Sequence, residues 1–205
     1  MIKNILFDFD GVILDSMPIR DYGFEKIFEN FNKDLVDRLL EYHNKNGGLS
    51  RYVKIKYFYN HILNQEVSDE EIACYAENFS IIMKKELVNK KYLIQNSLEF
   101  IKSSHKKYNM HIVSGSDEQE LQYLCKKLEI NNYFQSINGS PIHKNELVKS
   151  VLLKNKYLSD ETILIGDSIN DYEAAKEHYL DFYGFNNRNL EEISDKYLES
   201  YKRLL

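Results

Sequence analysis

Five short apolar runs, at 3–9, 110–113, 134–138, 162–165 and 181–185, punctuate this chain, and from the second onward a helically spaced segment separates each from the next. Strands alternating with helices in this way imply right-handed β-α-β crossovers and a layered sheet. The first run carries Ile5, Leu6, Phe7 and Phe9, apolar on both faces, as a central parallel strand covered on both sides must be. The expected fold class is α/β, a doubly wound and mostly parallel sheet.

Between the first two runs the period changes. Ile19, Tyr22, Phe24, Ile27, Phe28 and Phe31 recur at helical spacing, as do Leu35, Val36, Leu39 and Leu40. A break at Asn46-Gly47-Gly48 precedes a third helix with Tyr52, Ile55, Tyr59, Ile62 and Leu63. Ser68-Asp69-Glu70-Glu71 then reads as a capping box opening a fourth, because Ser and Glu three apart satisfy each other's backbone amides. Residues 16–88 are therefore expected to form an all-helical insert, and 1–15 with 89–205 the α/β core. Further along, Ser116 and Gln119 are expected to cap a helix bearing Leu121 and Leu124. A last helix is expected from Asn189, with Tyr201-Lys202-Arg203 as its solvated end.

The chain has 205 residues, 43% of them hydrophobic, enough to bury a core. Its 27 Lys and Arg against 32 Asp and Glu give a net charge of −5, which argues against a general nucleic-acid binder. No apolar run approaches the roughly 20 residues that span a bilayer. Asp8 and Asp10 interrupt the only apolar stretch near the N-terminus, so no signal peptide is read there. A cytoplasmic protein is expected, monomeric or weakly homodimeric, without nucleic-acid or membrane partners. Cys74 and Cys125 have no metal-type spacing and read as two reduced core thiols.

In a doubly wound sheet, ligands bind outside the carboxyl ends of the strands. There the sequence places Asp8-Phe9-Asp10-Gly11-Val12, then Ser114-Gly115-Ser116, then Gly166-Asp167-Ser168-Ile169-Asn170-Asp171. Asp8 and Asp10, two apart on an extended backbone, point to one side. With Asp167 added, these carboxylates repel one another, and a hard divalent cation such as Mg²⁺, with oxygen ligands and a phosphate, would neutralise them. Lys144, in a loop-like segment after Gly139-Ser140-Pro141, can complete the balance. Ser114 and the Gly115 amide offer hydrogen bonds to phosphate oxygens, and Ser116 is read as opening a helix whose N-terminus favours an anion. Such a set suits nucleophilic phosphoryl transfer: one carboxylate attacks phosphorus, a second passes protons, and an aspartyl-phosphate is hydrolysed.

Those motifs, in that order, resemble the haloacid dehalogenase (HAD) superfamily, over nearly the whole chain. The helical insert after the first motif looks like the cap of its phosphoglycolate-phosphatase and β-phosphoglucomutase branch. The resemblance implies a HAD-like Rossmannoid core, with Asp8 as nucleophile and Asp10 as general acid/base. It implies Mg²⁺ on the Asp8 carboxylate, the Asp10 main-chain carbonyl and Asp167, with Asp171 supporting from behind, and Ser114 and Lys144 on the phosphoryl group. The chain departs from the branch in placing Pro141 before Lys144, with Lys149 and Lys154 as substitutes further along, and in having Gly115 where Asn is usual.

The break Asn46-Gly47-Gly48-Leu49-Ser50-Arg51 resembles the substrate-specificity loop of capped relatives. It implies that Gly48, Arg51 and Lys54 set substrate specificity, with Arg51 and Lys54 meeting an anionic part of the leaving group. The expected activity is a Mg²⁺-dependent phosphatase on a small phosphomonoester, a phosphorylated sugar or phospho-alcohol of carbohydrate or surface-polysaccharide metabolism. The alternatives are a phosphomutase of the β-phosphoglucomutase type, a 2-haloacid dehalogenase, and a non-catalytic binding module.

Overall fold

The structure, a computed structural model, describes residues 1–194 and 196–204. Its strands are β1 (Asn4–Phe7), β2 (Asn109–Asp117), β3 (Ser136–Ser140), β4 (Thr162–Gly166), β5 (Asp181–Phe185) and β6 (Lys196–Leu198). They form one sheet in the order β3-β2-β1-β4-β5-β6, and every pairing is parallel. β1 is central: Phe7 stands opposite Ile112 on one side and Ile165 on the other. The sheet order reverses direction at β1, and there the loops leave a crevice at the strand ends.

Alternation along β1 sorts the two faces. Ile5 and Phe7 point to the layer holding α5 (Gln95–Ser104) and α6 (Glu118–Lys127), where they are buried with Phe100, Ile101, Leu121 and Leu124. Leu6 points the other way, to α7 (Lys144–Asn155) and α8 (Ile169–Glu177), among Val148, Val151, Ala174 and Ala175.

Between β1 and α5 the chain is helical: α1 (Met17–Ile27), α2 (Lys33–Lys45), α3 (Arg51–Tyr57) and α4 (Asp69–Glu86). Aromatic contacts weld these helices together. Phe28 lies 4.3 Å from Phe58 and 4.9 Å from Tyr75, and Phe24 lies 4.6 Å from Phe79, between ring centroids. The Ser68–Glu71 capping box is formed at the start of α4. The third helix is not regular throughout, because α3 passes into a wider π-helical turn at Phe58–Leu63, closed by Asn64 with φ of 53°. No helix among the described residues is long and apolar enough to cross a membrane.

Three expectations are corrected. The last helix is absent among the described residues: a 3₁₀ turn at Arg188–Leu190 leads to β6 and a second 3₁₀ turn at Tyr201–Arg203. Tyr201 is buried, packed on Phe100 at 4.8 Å and Phe185 at 5.0 Å, so it closes the core and is no solvated end. Ser116 does not open α6, because β2 runs on to Asp117 with a register irregularity after Val113. Asp117 caps the helix instead, accepting from the Glu120 amide. Of the two cysteines only Cys125 is buried, and Cys74 is exposed.

Candidate active site

Asp8 follows β1 directly, and its amide donates to the Ile165 carbonyl of β4 at 2.9 Å. The chain must then turn sharply, and Gly11 does so with φ of +73°. A side chain there would meet the Asp167 carboxylate at 1.9 Å, so glycine is required both by its backbone and by the neighbouring acid. Carboxylate oxygens of Asp8, Asp167 and Asp171 all lie within 4.8 Å of one another.

Lys144, the first residue of α7, reaches into this cluster. Its ammonium stands 3.0 Å from Asp8 Oδ1 and donates to Asp171 Oδ1. The other oxygen of Asp171 accepts from the Ser168 amide at 3.0 Å and from its hydroxyl at 2.6 Å, a capping box at the start of α8. Both oxygens of Asp171 are thus committed to the protein.

Burial pushes the Asp8 carboxyl up to about 7, the Asp171 charge adds to this, and Lys144 pulls the other way. Asp167 is held well above the usual carboxylate range by burial and by the charge of Asp8. An all-oxygen donor set with more buried negative charge than one ammonium balances fits a hard divalent cation.

Asp10 faces away from that cluster and is held by cation and hydroxyls. The Arg20 Nε–H donates to Oδ1 at 2.9 Å, the Ser116 hydroxyl to Oδ2 at 2.5 Å, and the Ser16 hydroxyl to Oδ1. Burial alone would raise its pKa, but Arg20 and the two hydroxyls win and hold it below the usual range.

On the insert side, Arg51 and Lys54 of α3 line the same narrow pocket as Asp8, Asp10, Arg20 and Ser114. Arg51 Nη2 lies 2.6 Å from Glu120 Oε2 of α6, whose Oε1 accepts from Arg20 Nη1, also at 2.6 Å. Lys54 donates to His43 Nδ1 at 2.8 Å and to the Gly47 carbonyl at 3.2 Å.

A model of the haloacid dehalogenase-like hydrolases matches residues 5–185. This chain belongs to that family. The hydrolase is also 23% identical over 187 residues to "Phosphorylated carbohydrates phosphatase" of Thermotoga maritima, covering 85% of this chain and 80% of that protein. Among solved structures it resembles CbbY of Rhodobacter sphaeroides in complex with xylulose-1,5-bisphosphate, with TM-score 0.80 and 17% identity over 100% of this chain and 96% of that one. A β-phosphoglucomutase of Clostridium difficile gives TM-score 0.78 and 16% identity over 100% and 94%. At these identities the likeness to solved structures is one of fold.

The hydrolase thus brings Asp8, Asp167, Asp171 and Lys144 into one cluster, with Asp10 and Ser114 on the same cavity. Lys149 and Lys154, the substitutes for Lys144, are solvent-exposed on α7. Gly115 packs against the insert: a Cβ there would fall 2.3 Å from the Gly48 carbonyl oxygen. Gly48 itself lies against Ser168 and Asn170, which would meet its Cβ at 2.7 and 2.8 Å.

Sequence reasoning passed over Arg20, Glu120, His43 and Ser16. A signal for three of them was present. Arg20 lies one turn before Phe24, Glu120 one turn before Leu124, and His43 one turn after Leu39, so each is a polar residue in phase with a buried stripe. What the stripe does not show is that Glu120 pairs with Arg20 and Arg51 of the insert.

Proposed function

We propose that this hydrolase is a Mg²⁺-dependent phosphatase acting on a small phosphomonoester through an aspartyl-phosphate, in a cytoplasmic setting. The observation that carries the reading is the Lys144 ammonium beside Asp8, within a cluster of three carboxylates of which Asp8 and Asp171 are buried. In the first step an Asp8 carboxylate oxygen bonds to phosphorus as the phosphorus–oxygen bond to the alcohol breaks, and Asp10 gives its proton to the departing alkoxide. In the second step water attacks phosphorus, the bond to Asp8 breaks, and Asp10 takes the water's proton. Arg20 and the two hydroxyls favour the ionised Asp10 that this step needs; the proton given in the first step enters with the ester, on a monoanionic phosphoryl group, and one leaves with the phosphate.

Lys144 and Ser114 are assigned to the phosphoryl oxygens, where fixed charge and dipoles lower the barrier most. Mg²⁺, held by Asp8, Asp167 and the Asp10 carbonyl, would supply Lewis-acid stabilisation of phosphoryl charge. Asp171, with both oxygens committed, supports from behind. Residues 16–88 act as a cap that excludes water from the pocket, over a core of 1–15 and 89–205.

Phosphate release from a panel of phosphomonoesters, with Mg²⁺ and with a chelator, beside Asp8→Asn, tests the proposal. Metal-dependent release lost in the variant is expected. Release that persists in Asp8→Asn would overturn the nucleophile assignment.

A further inference from the structure

We infer that the leaving-group side of this pocket takes an uncharged polyol or sugar, so that the phosphoryl group is the substrate's only anion. The inference rests on the phosphatase reading and names a substrate class for it. Its basis is the accounting of every cation that the leaving group would meet.

Arg51, expected to greet an anionic leaving group, is already ion-paired, its Nη2 beside Glu120 without a formed hydrogen bond and its Nη1 bonded within the insert. Glu120 sits 2.6 Å from Nη2, the Ser80 hydroxyl 2.6 Å and the Ala76 carbonyl 3.4 Å from Nη1, and the Phe79 ring lies beneath the guanidinium at 4.6 Å. Arg20 divides itself between Asp10 and the other oxygen of Glu120. Two guanidiniums therefore face two carboxylates, in a cluster almost sealed from solvent. A phosphate or carboxylate that claimed Arg51 would have to displace Glu120 and leave that carboxylate buried beside a second anion, an arrangement that low dielectric penalises.

The core segment beside the cluster is acidic as well. Asp117 accepts from the Tyr52 hydroxyl of α3 at 3.0 Å, and Glu118 from the Gly139 amide at 3.2 Å. These two acids lie behind the pocket, which Asp10 lines directly, and add to the negative charge around it.

Lys54 is the remaining cation. Two of its three N–H bonds are spent on neutral acceptors, His43 Nδ1 and the Gly47 carbonyl. One donor is left, which a hydroxyl satisfies as well as a carboxylate does. Burial pulls the Lys54 pKa down to about 7, so at neutral pH it offers only part of a charge. A phosphomutase must hold a substrate with two phosphoryl groups in turn, and a second phosphate finds no free guanidinium here. The released product is accordingly a neutral alcohol.

The test compares phosphate release from matched esters: glycerol 2-phosphate against 2-phosphoglycerate, and fructose 6-phosphate against fructose 1,6-bisphosphate. In the wild-type enzyme with Mg²⁺, kcat/KM is expected to be at least about ten-fold higher for the uncharged leaving group of each pair. Release with the anionic ester equal or preferred would overturn the inference and leave the phosphatase reading standing. No release from any ester would overturn that reading, and the inference with it. In Glu120→Gln, checked for folding by circular dichroism, Arg51 is freed and the preference is expected to narrow by about three-fold or more. A folded variant with unchanged preference would overturn the role given to Glu120.

Discussion

The Lys144 ammonium stands 3.0 Å from Asp8 Oδ1 while donating to Asp171, so one cation serves two buried acids, of which Asp8 lines the pocket. Removing one partner of a buried charge pair costs about 3–5 kcal/mol, because the other is left uncompensated. Lys144→Met leaves three carboxylates with no protein cation against them. It is expected to lower kcat by about 10²–10³ and to unfold earlier in chelator than the wild type. Unchanged kcat in a folded variant would remove Lys144 from the phosphoryl site.

If the same carboxylates hold Mg²⁺, the metal stabilises the folded state by mass action, by about 2.7 kcal/mol at one hundred times its dissociation constant. Thermal unfolding with and without Mg²⁺ should show an upward shift in Tm. Asp167→Asn should abolish most of it. A shift of wild-type size in that variant would place the cation elsewhere.

Those two predictions concern residues that the sequence alone marked, and the reason is physical. Strand ends are visible wherever an apolar run stops, and Asp8, Ser114 and Asp167 each lie just past such a stop. Lys144 was marked because it follows Gly139-Ser140-Pro141 after a strand. What escaped notice depends on packing between distant segments. Glu120 and Arg20 are 100 residues apart, and neither shows its partner in local pattern. The C-terminal stretch failed for a related reason: its charged residues suggest a solvated helix, whereas Tyr201 is drawn into the core by Phe7, Phe100 and Phe185.

That burial has a measurable consequence. Tyr201 also receives the Ser97 hydroxyl at 3.1 Å, so its loss empties both an aromatic cluster and a hydrogen bond. Tyr201→Ala is expected to cost roughly 3–5 kcal/mol in urea unfolding, as large aromatic truncations do. A loss below about 1 kcal/mol would show that the C-terminal turn is dispensable.

The contact between Gly115 and Gly48 joins the phosphate side of the pocket to the insert. A methyl group at Gly115 would fall 2.3 Å from the Gly48 carbonyl oxygen, which is backbone and cannot step aside by rotation. Gly115→Ala is expected to push the 46–50 loop off the pocket and to cost about 1–3 kcal/mol of stability. Because loop and phosphate site move together, kcat/KM should fall about ten-fold or more. Full activity would show that the two segments need not touch during turnover.

Acid should weaken the fold through two buried histidines. Burial, aided at His43 by the Lys54 charge, pulls His43 down to about 2, and burial pulls His111 down to about 4. His111 sits between the Ser136 hydroxyl at 2.7 Å and the Tyr157 hydroxyl at 3.1 Å. In the unfolded chain each titrates near 6.5. Below that pH the unfolded state binds protons that the native state refuses, so stability falls as pH drops from about 6.5 toward 4. Asp8 and Asp167 act in the opposite sense, since their raised pKa values favour the fold at lower pH. The informative quantity is therefore a difference between two proteins. Between pH 7 and about pH 5, His111→Gln should lose roughly 1–2 kcal/mol less than the wild type in urea unfolding. Equal losses would mean that His111 takes up its proton inside the fold, with Ser136 or Tyr157 turning to accept from it.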